Sequence, residues 1–254
     1  MYQNGYSVFV VDHQGQGKST RLISNPHIGY VSEFADYIED LHALINHVFD
    51  AILQESKQNT LPKYLLCHSM GGAIGTGFVQ KYPEVFSKLV LSAPMFGINA
   101  PLPESLMKFI LRIVLRIRAI FKLSTRYVWG QSDYQAYPFE KNRLTNSKER
   151  YTAFKQIYAE DPSLQLGGPS FEWLSQAVIF MQKIRQNMAS IKIPVCAFIA
   201  EEEQIVDNNE IQKAVSAVAN YQLHYIENAK HEILFEQDKP RNQTLNTIFD
   251  FFSQ

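Results

Sequence analysis

Short apolar runs alternate along the chain with segments in which apolar residues recur at helical spacing. The apolar runs are rich in β-branched residues and bounded by turn residues, which predicts buried strands; they cover residues 6–11 (YSVFVV), 63–67 (KYLLC), 89–92 (LVLS), 195–200 (VCAFIA) and 223–226 (LHYI). The pattern predicts helices over residues 34–53, 71–81, 209–219 and 243–252. Such alternation predicts an α/β fold with a mostly parallel sheet flanked by helices on both faces.

The alternation is interrupted once, between Pro94 and about Pro194. This segment contains no convincing strand pattern, and it is helical in periodicity and rich in Tyr, Arg and Pro. Because it begins after one predicted strand and ends before the next, we expect a helical cap over the sheet. The predicted organisation is a core formed by residues 1–98 and 191–254, with a cap formed by residues 99–190.

Composition narrows the class of protein. The 254 residues are 46% hydrophobic and 19% charged, which predicts a sizeable core, and the net charge of −1 argues against a nucleic-acid-binding protein. We find no signal peptide and no apolar run of about 18 residues, the length that could span a membrane. Cys67 and Cys196 lie in apolar runs, so reduced core thiols and a cytoplasmic location are favoured over a disulfide. No His/Cys/Asp cluster has zinc spacing, so we predict no metal and no other cofactor.

The segment VVDHQGQGKST, residues 10–20, ends in the same way as a phosphate-binding P-loop. That loop requires a further glycine at the position that Asp12 occupies here. An Asp at this position adds a Cβ and a negative charge where the backbone must wrap a polyanion. We therefore expect no nucleotide to bind, and a nucleotide hydrolase remains the disfavoured alternative.

A candidate nucleophile follows the second predicted strand. The segment matches the Gly-x-Ser-x-Gly nucleophile elbow, with cysteine in place of the first glycine; it comprises Cys67, His68, Ser69, Met70, Gly71 and Gly72. The sharp turn favours small residues two positions before and after Ser69, and we expect Cys67 and Gly71 to serve there. The Met70 N–H and the helix dipole could then stabilise an oxyanion. His68 is expected to shape the pocket, and a simple helix N-cap at Ser69 is the alternative role.

The residues that a nucleophilic serine requires occur downstream. A serine hydroxyl needs a general base held by an acid, and this elbow is followed in chain order by the acid and then the histidine. An acidic run, residues 201–207 (EEEQIVD), follows the predicted strand 195–200, and His231 follows the predicted strand 223–226. The sequence therefore predicts a triad of Ser69, His231 and an acid.

Taken together, these motifs resemble the α/β-hydrolase fold, and more narrowly the monoacylglycerol lipase and bacterial lysophospholipase branch. The resemblance covers essentially the whole chain and is carried by DHQGQGKS, HSMGGA, AEEEQIVDN, NAKHEILFE and the cap segment NRLTNSKERY…YAEDPSLQLGGPSFEWL, which is similar to lysophospholipases of the lecithinase-B type. It implies a serine ester hydrolase that cleaves lysophospholipids or monoacylglycerols through an acyl-enzyme. It also implies that Gly15 and Gly17 form a tight turn and bind no phosphate.

The resemblance assigns roles to single residues. Ser69 would be the nucleophile and His231 the base, with the Met70 N–H as one oxyanion donor. The position of the acid, usually Asp in the family, falls on Glu203, and Asp207 is the alternative.

The start of the chain departs from the family. Family members begin with further strands, one of which lies in the sheet between the strands at Val8 and Leu65, and these strands include the loop that gives the second oxyanion donor. The sequence begins at Met1, after the place of these strands. We therefore expect a truncated chain that lacks the second donor and is unstable and weakly active alone. A non-catalytic lipid-binding or interaction protein is the alternative function.

Residues 106–124 (LMKFILRIVLRIRAIFKLS) predict a basic amphipathic helix. It carries the basic residues Lys108, Arg112, Arg116 and Lys122, with Arg118 close by. Spacings of four place most of these on one arc, opposite Phe109, Ile110, Ile113, Val114, Ile117, Ile120 and Phe121. Since residues 105–132 contain no acid, the helix is a candidate for binding an anionic membrane, which would place the protein at the inner face of the cell membrane. The alternative is that the apolar arc packs on the core.

Overall fold

The computed structural model describes residues 1–58 and 60–254. At its centre lies a four-stranded parallel sheet in the order β1-β2-β3-β4, formed by β1 Tyr64–His68, β2 Lys88–Ser92, β3 Val195–Ala200 and β4 Tyr221–Ile226. Every residue of β3 is buried, as expected for a parallel strand covered on both faces. The four strands confirm four of the five predicted strand positions.

Eight α-helices accompany the sheet in the described residues: α1 Phe34–Leu44, α2 Asp50–Glu55, α3 Ser69–Lys81, α4 Glu104–Ile120, α5 Lys148–Glu160, α6 Phe171–Gln186, α7 Asn208–Val215 and α8 Asp238–Ser253. A π-helical turn, Ile45–Phe49, joins α1 to α2, and short 3-10 turns include Tyr2–Asn4, Phe139–Lys141, Pro162–Leu164, Met188–Ser190 and Ile233–Phe235. The four predicted helices are confirmed with shifted ends, and α7 ends at Val215 rather than Ala219.

The predicted strand at residues 6–11 is wrong. These residues belong to no strand, and the side chains of Val8 and Val10 are 49% and 86% exposed. A strand requires a neighbour with which to form a hydrogen-bond ladder. Within the described residues β1 pairs with β2 alone, so the β-branched run at 6–11 has no ladder to join.

The segment predicted as a cap, residues 99–190, contributes α4, α5 and α6 and no strand in the part of the chain that the structure describes. Its last helix, α6, packs on α1 and α3 and buries Phe180 and Ile184 in the main core. On the other half of the sheet, α7 and α8 pack against β3. Cys67 and Cys196 are free thiols, as expected, and burial raises the pKa of each to about 12.

Candidate active site

The turn between β1 and α3 places Ser69 at the carboxyl edge of the sheet. His68 still has an extended backbone, whereas Ser69 has a φ of 50°, in the left-handed region that costs a non-glycine residue about 1–2 kcal/mol. A strained residue is kept only where its surroundings hold it, and such residues cluster at functional sites. The turn projects Ser69 from the first position of α3.

Close packing at the elbow differs from the sequence expectation. Apart from the backbone of α3 itself, a Cβ at Gly71 would have His13 Nε2 as its nearest neighbour, at 4.0 Å, so no other element packs closely against this position. A Cβ at Gly72 would lie 2.9 Å from Pro94 Cα, and one at Gly75 would overlap the Cys67 sulfur. The elbow therefore depends on the approach of α3 to Pro94 and to Cys67.

Three side chains form a hydrogen-bonded chain at the end of this turn. His231 Nε2 lies 2.8 Å from Ser69 Oγ, and His231 Nδ1 lies 2.8 Å from Glu203 Oε2. The His231 side chain is 4% exposed and that of Glu203 is 1% exposed. These distances lie within the range needed for proton transfer between a nucleophile, its base and an orienting acid.

Glu203 and Asp207, the two candidate acids, have different partners. Burial alone would raise the pKa of Glu203, but the hydrogen bond and charge of His231, with the backbone N–H groups of Ile205 and Val206, hold it below its usual value. Asp207 is the N-cap of α7, where its carboxylate accepts the Asn209 N–H at 2.8 Å. The structure therefore brings Glu203, and not Asp207, to the histidine.

A second histidine–carboxylate pair adjoins these residues. His68 Nε2 lies 3.2 Å from Glu232 Oε2, within ion-pair distance but without hydrogen-bond alignment, and the rings of His68 and His231 are 4.8 Å apart. Burial is the largest single effect on His68 and would lower its pKa, but the charges of Glu232 and Glu203, the close approach of Glu232 and the Ser92 backbone together raise it. Sequence reasoning gave Glu232 no role. A signal was present, because His68 directly precedes Ser69 and Glu232 directly follows His231, so contact between Ser69 and His231 also brings their neighbours together.

The loop of residues 12–20 borders the elbow. The Asp12 carboxylate accepts the Lys18 N–H at 2.9 Å and occupies the space that a Cβ at Gly17 would need. The Lys18 ammonium is paired with Asp161. A carboxylate therefore fills the turn of the loop and its lysine is engaged elsewhere, so the nucleotide-hydrolase alternative gains no support. The loop also contacts the elbow directly, because Gln16 Nε2 donates to Met70 Sδ at 3.4 Å.

Known proteins are similar to this chain over most of its length. Residues 1–238 match the model of the Hydrolase_4 family, described as serine aminopeptidase, S33. Lysophospholipase L2 of Escherichia coli (strain K12) is 36% identical over 262 residues, which cover 100% of this chain and 74% of that protein. Probable lysophospholipase L2 of Haemophilus influenzae is 35% identical over 254 residues, covering 99% of this chain and 76% of the relative.

Solved structures resemble the fold at lower identity. A soluble variant of monoglyceride lipase from Saccharomyces cerevisiae, in complex with a substrate analog, has a TM-score of 0.68 at 20% identity and matches 95% of this chain and 75% of its own. Monoacylglycerol lipase of Paleococcus ferrophilus has a TM-score of 0.65 at 17% identity, with 94% and 80% covered. At these identities the likeness concerns the fold.

Proposed function

Because this chain belongs to the Hydrolase_4 family of α/β-hydrolases, we propose that Ser69, His231 and Glu203 are the catalytic triad of a carboxylic ester hydrolase that cleaves lysophospholipids or monoacylglycerols. The substrate class comes from the relatives, which are named lysophospholipase and monoglyceride lipase. The observation that carries the proposal is the unbroken hydrogen-bond chain from Ser69 through His231 to Glu203.

The geometry supports a two-stage mechanism. His231 Nε2 takes the proton of Ser69 Oγ as the oxygen attacks the ester carbonyl carbon, while Glu203 stabilises the imidazolium through Nδ1–H. The negative charge that develops on the carbonyl oxygen is stabilised by the Met70 N–H at the N-terminus of α3. His231 then gives its proton to the departing glycerol oxygen, which leaves an acyl-enzyme. A water molecule, deprotonated by His231, attacks the acyl carbon. His231 then returns the proton to Ser69 Oγ as the acyl–oxygen bond breaks and the fatty acid is released.

Hydrolysis of defined lipids tests this function. We expect the protein to release fatty acid from lysophosphatidylcholine or from a monoacylglycerol, and we expect Ser69→Ala to abolish release because the nucleophile is lost. Retention of activity by folded Ser69→Ala would refute the assignment of the nucleophile. A folded wild-type protein that binds these lipids without hydrolysing them would instead favour the non-catalytic lipid-binding function.

We also propose that α4 contacts an anionic lipid surface. Its outward face includes five large apolar side chains: Leu106, Phe109, Ile113, Ile117 and Ile120 are all exposed, Phe109 at 60% and Ile120 at 74%. The core side of the helix is instead provided by residues that include Leu111 and Arg118. The apolar arc as a whole therefore does not pack on the core. No helix among the described residues has the length and apolarity needed to cross a bilayer.

The charges around this face fit an anionic surface. Arg112, Arg116 and Lys122 are exposed next to the apolar side chains. Two of the other basic residues are engaged with acids, since Lys108 lies 3.2 Å from Glu104 and Arg118 lies 3.5 Å from Glu172. An exposed apolar stripe flanked by unneutralised basic residues is typical of helices that lie in a membrane interface.

Vesicle binding tests this contact. We expect the protein to sediment with vesicles of phosphatidylglycerol and phosphatidylcholine, and the binding to weaken as salt screens the charges. The double variant Phe109→Ser, Ile113→Ser should bind at least about tenfold more weakly, because each side chain contributes about 1.5–3 kcal/mol on burial. Ile52→Ser, an exposed apolar position on α2, is the matched control and should bind normally. Equal binding of the double variant, or undiminished binding to neutral vesicles at high salt, would exclude the proposal.

A further inference from the structure

The residues at the active site come from opposite edges of the sheet. Ser69 follows β1 and His231 follows β4, with two strands between them. Three inter-strand spacings of about 4.8 Å separate the edge strands by about 14 Å. The loop that carries His231 must therefore cross the carboxyl edge of the sheet, and something must hold it at its far end.

The cap segment Asn142–Ser147, sequence NRLTNS, is built as a rigid turn. The Asn142 side chain accepts the N–H groups of Leu144 and Thr145 at 2.9 and 3.0 Å, and donates to the Phe139 carbonyl at 2.7 Å. Asn142, Thr145 and Ser147 are all buried despite being polar. A buried polar segment whose own groups are satisfied in this way has a fixed shape.

This turn is bonded along its length to the loop of residues 228–237. The Thr145 hydroxyl donates to the Phe235 carbonyl at 2.9 Å, and the Lys230 ammonium donates to the Asn142 carbonyl at 3.2 Å. The Asn146 side chain reaches both loops that carry the proposed acid and base, with bonds to Glu202 Oε2 at 3.2 Å and to the Asn228 carbonyl at 3.3 Å.

Glu236 joins the two segments from inside. Its side chain is fully buried, and its carboxylate accepts three backbone N–H groups, from Asn146 at 2.8 Å, Lys230 at 2.9 Å and Gln237 at 3.0 Å. One of these groups belongs to the cap and another belongs to the residue before His231. Charge-assisted bonds of this kind are roughly twice as strong as neutral ones.

His231 is consequently held on both sides. The N–H of Lys230 is bonded to Glu236 Oε1, and the N–H of Glu232 is bonded to the Leu144 carbonyl at 2.8 Å. We propose that Glu236 is a positioning residue, which fixes the backbone of His231 against the cap turn Asn142–Ser147 and thereby sets the histidine between Ser69 and Glu203. This inference rests on the proposed function, because it assumes that His231 is the base.

The test compares Glu236→Gln with Glu227→Gln. Glu227 is an exposed carboxylate directly before this loop, so its variant has the same change in charge without the buried bonds. Glutamine at 236 removes the negative charge from all three bonds. Because Asn146 and Lys230 share Oε1 and Gln237 is bonded to Oε2, its NH₂ group must also face at least one backbone N–H in either orientation. We expect kcat for a soluble ester to fall about ten- to hundredfold, since displacement of a catalytic group by about 1 Å has costs of this size, while KM stays within about twofold. The low-field NMR signal of the His231 Nδ1 proton should broaden or shift. Glu227→Gln should match the wild type in both measurements.

The outcomes separate the two proposals. If the wild type hydrolyses esters and Ser69→Ala does not, the proposed function stands, whatever Glu236→Gln does. If Glu236→Gln then lowers the melting temperature but keeps the kcat and the His231 signal of the wild type, Glu236 is only structural and the positioning role is refuted.

If Glu236→Gln does not fold, Thr145→Val, which removes the hydroxyl bonded to Phe235, serves as the test with the same expected loss of kcat at constant KM. An unchanged kcat in folded Thr145→Val would then overturn the proposal.

Discussion

His231 Nε2 lies 2.8 Å from Ser69 Oγ, although the two residues are 162 positions apart in the chain. Contact between them requires the whole sheet to form, because one residue follows its first strand and the other follows its last. The elbow, the acidic loop and the histidine loop all lie at the carboxyl ends of parallel strands, the edge at which α/β proteins place their sites.

Replacement of the two candidate acids should give opposite results. We expect Glu203→Gln to lower kcat by about 10³–10⁴-fold, because the amide can no longer orient the imidazole or stabilise its charged form. Asp207→Ala should leave kcat nearly unchanged and lower stability by about 1 kcal/mol, since it removes the N-cap of α7. Steady-state kinetics and urea unfolding of both variants measure the two effects. A larger kcat loss in Asp207→Ala than in Glu203→Gln would reverse the assignment.

The two glycines after the nucleophile should respond differently to alanine. Gly72→Ala should lower the free energy of unfolding by about 1–3 kcal/mol, because the new Cβ would lie 2.9 Å from Pro94 Cα, a backbone atom. Gly71→Ala should be neutral or stabilising by up to about 1 kcal/mol, since it has space for a Cβ and alanine favours the helix. Urea denaturation gives both values, and equal destabilisation would show that the elbow is packed differently.

The pair of His68 and Glu232 should contribute stability in a limited pH range. The pKa of His68 is raised from 6.5, so its contribution is complete below 6.5 and is lost as the pH rises through the folded value. Burial would raise the pKa of Glu232, but the charge and close approach of His68 and the charge of His231 lower it from 4.5, so its contribution is lost as the pH falls through the lowered value. The pair should therefore stabilise the fold most between about pH 4.5 and 6.5.

The measurement is the difference in unfolding free energy between the wild type and His68→Gln. We expect a difference of up to about 1 kcal/mol near pH 5.5–6, because the pair is partly exposed, and a smaller one above about pH 8. Glu203, His231 and Tyr158 also act on these two groups, so the same comparison is made in a Glu232→Gln background, where the gain in stability at low pH should be lost because burial, which lowers the pKa of His68, is no longer opposed by Glu232. A pH-independent difference would exclude the ion pair as its source.

Much of the architecture could be predicted from the sequence. Four strands and four helices were predicted from periodicity because their apolar residues face a common core. Residues 6–11 had the same strand propensity but form no strand. Propensity describes a single segment, whereas a strand exists only beside a partner, and the pattern contained no information on which segments pair.

The candidate site was predicted in part. Motif order pointed to Ser69 and His231, but it left Glu203 and Asp207 open, because only the folded loop shows which carboxylate reaches the imidazole. For α4, the periodicity predicted the helix but not its rotation. In the structure Arg118 lies on the core side, where it forms an ion pair with Glu172 of α6 at 3.5 Å, and the periodicity alone gives no sign of this pairing. The role of Glu236 depends on contacts between distant segments and had no signal in the sequence.

Labelling with a fluorophosphonate probe, followed by intact-mass and peptide mass spectrometry, tests the central claim most directly. The probe reacts with a serine whose hydroxyl is activated by a neighbouring base. We expect one adduct per chain, located on Ser69, and none in Ser69→Ala. A folded wild-type protein that remains unlabelled, or a Ser69→Ala variant that is labelled equally, would contradict the account.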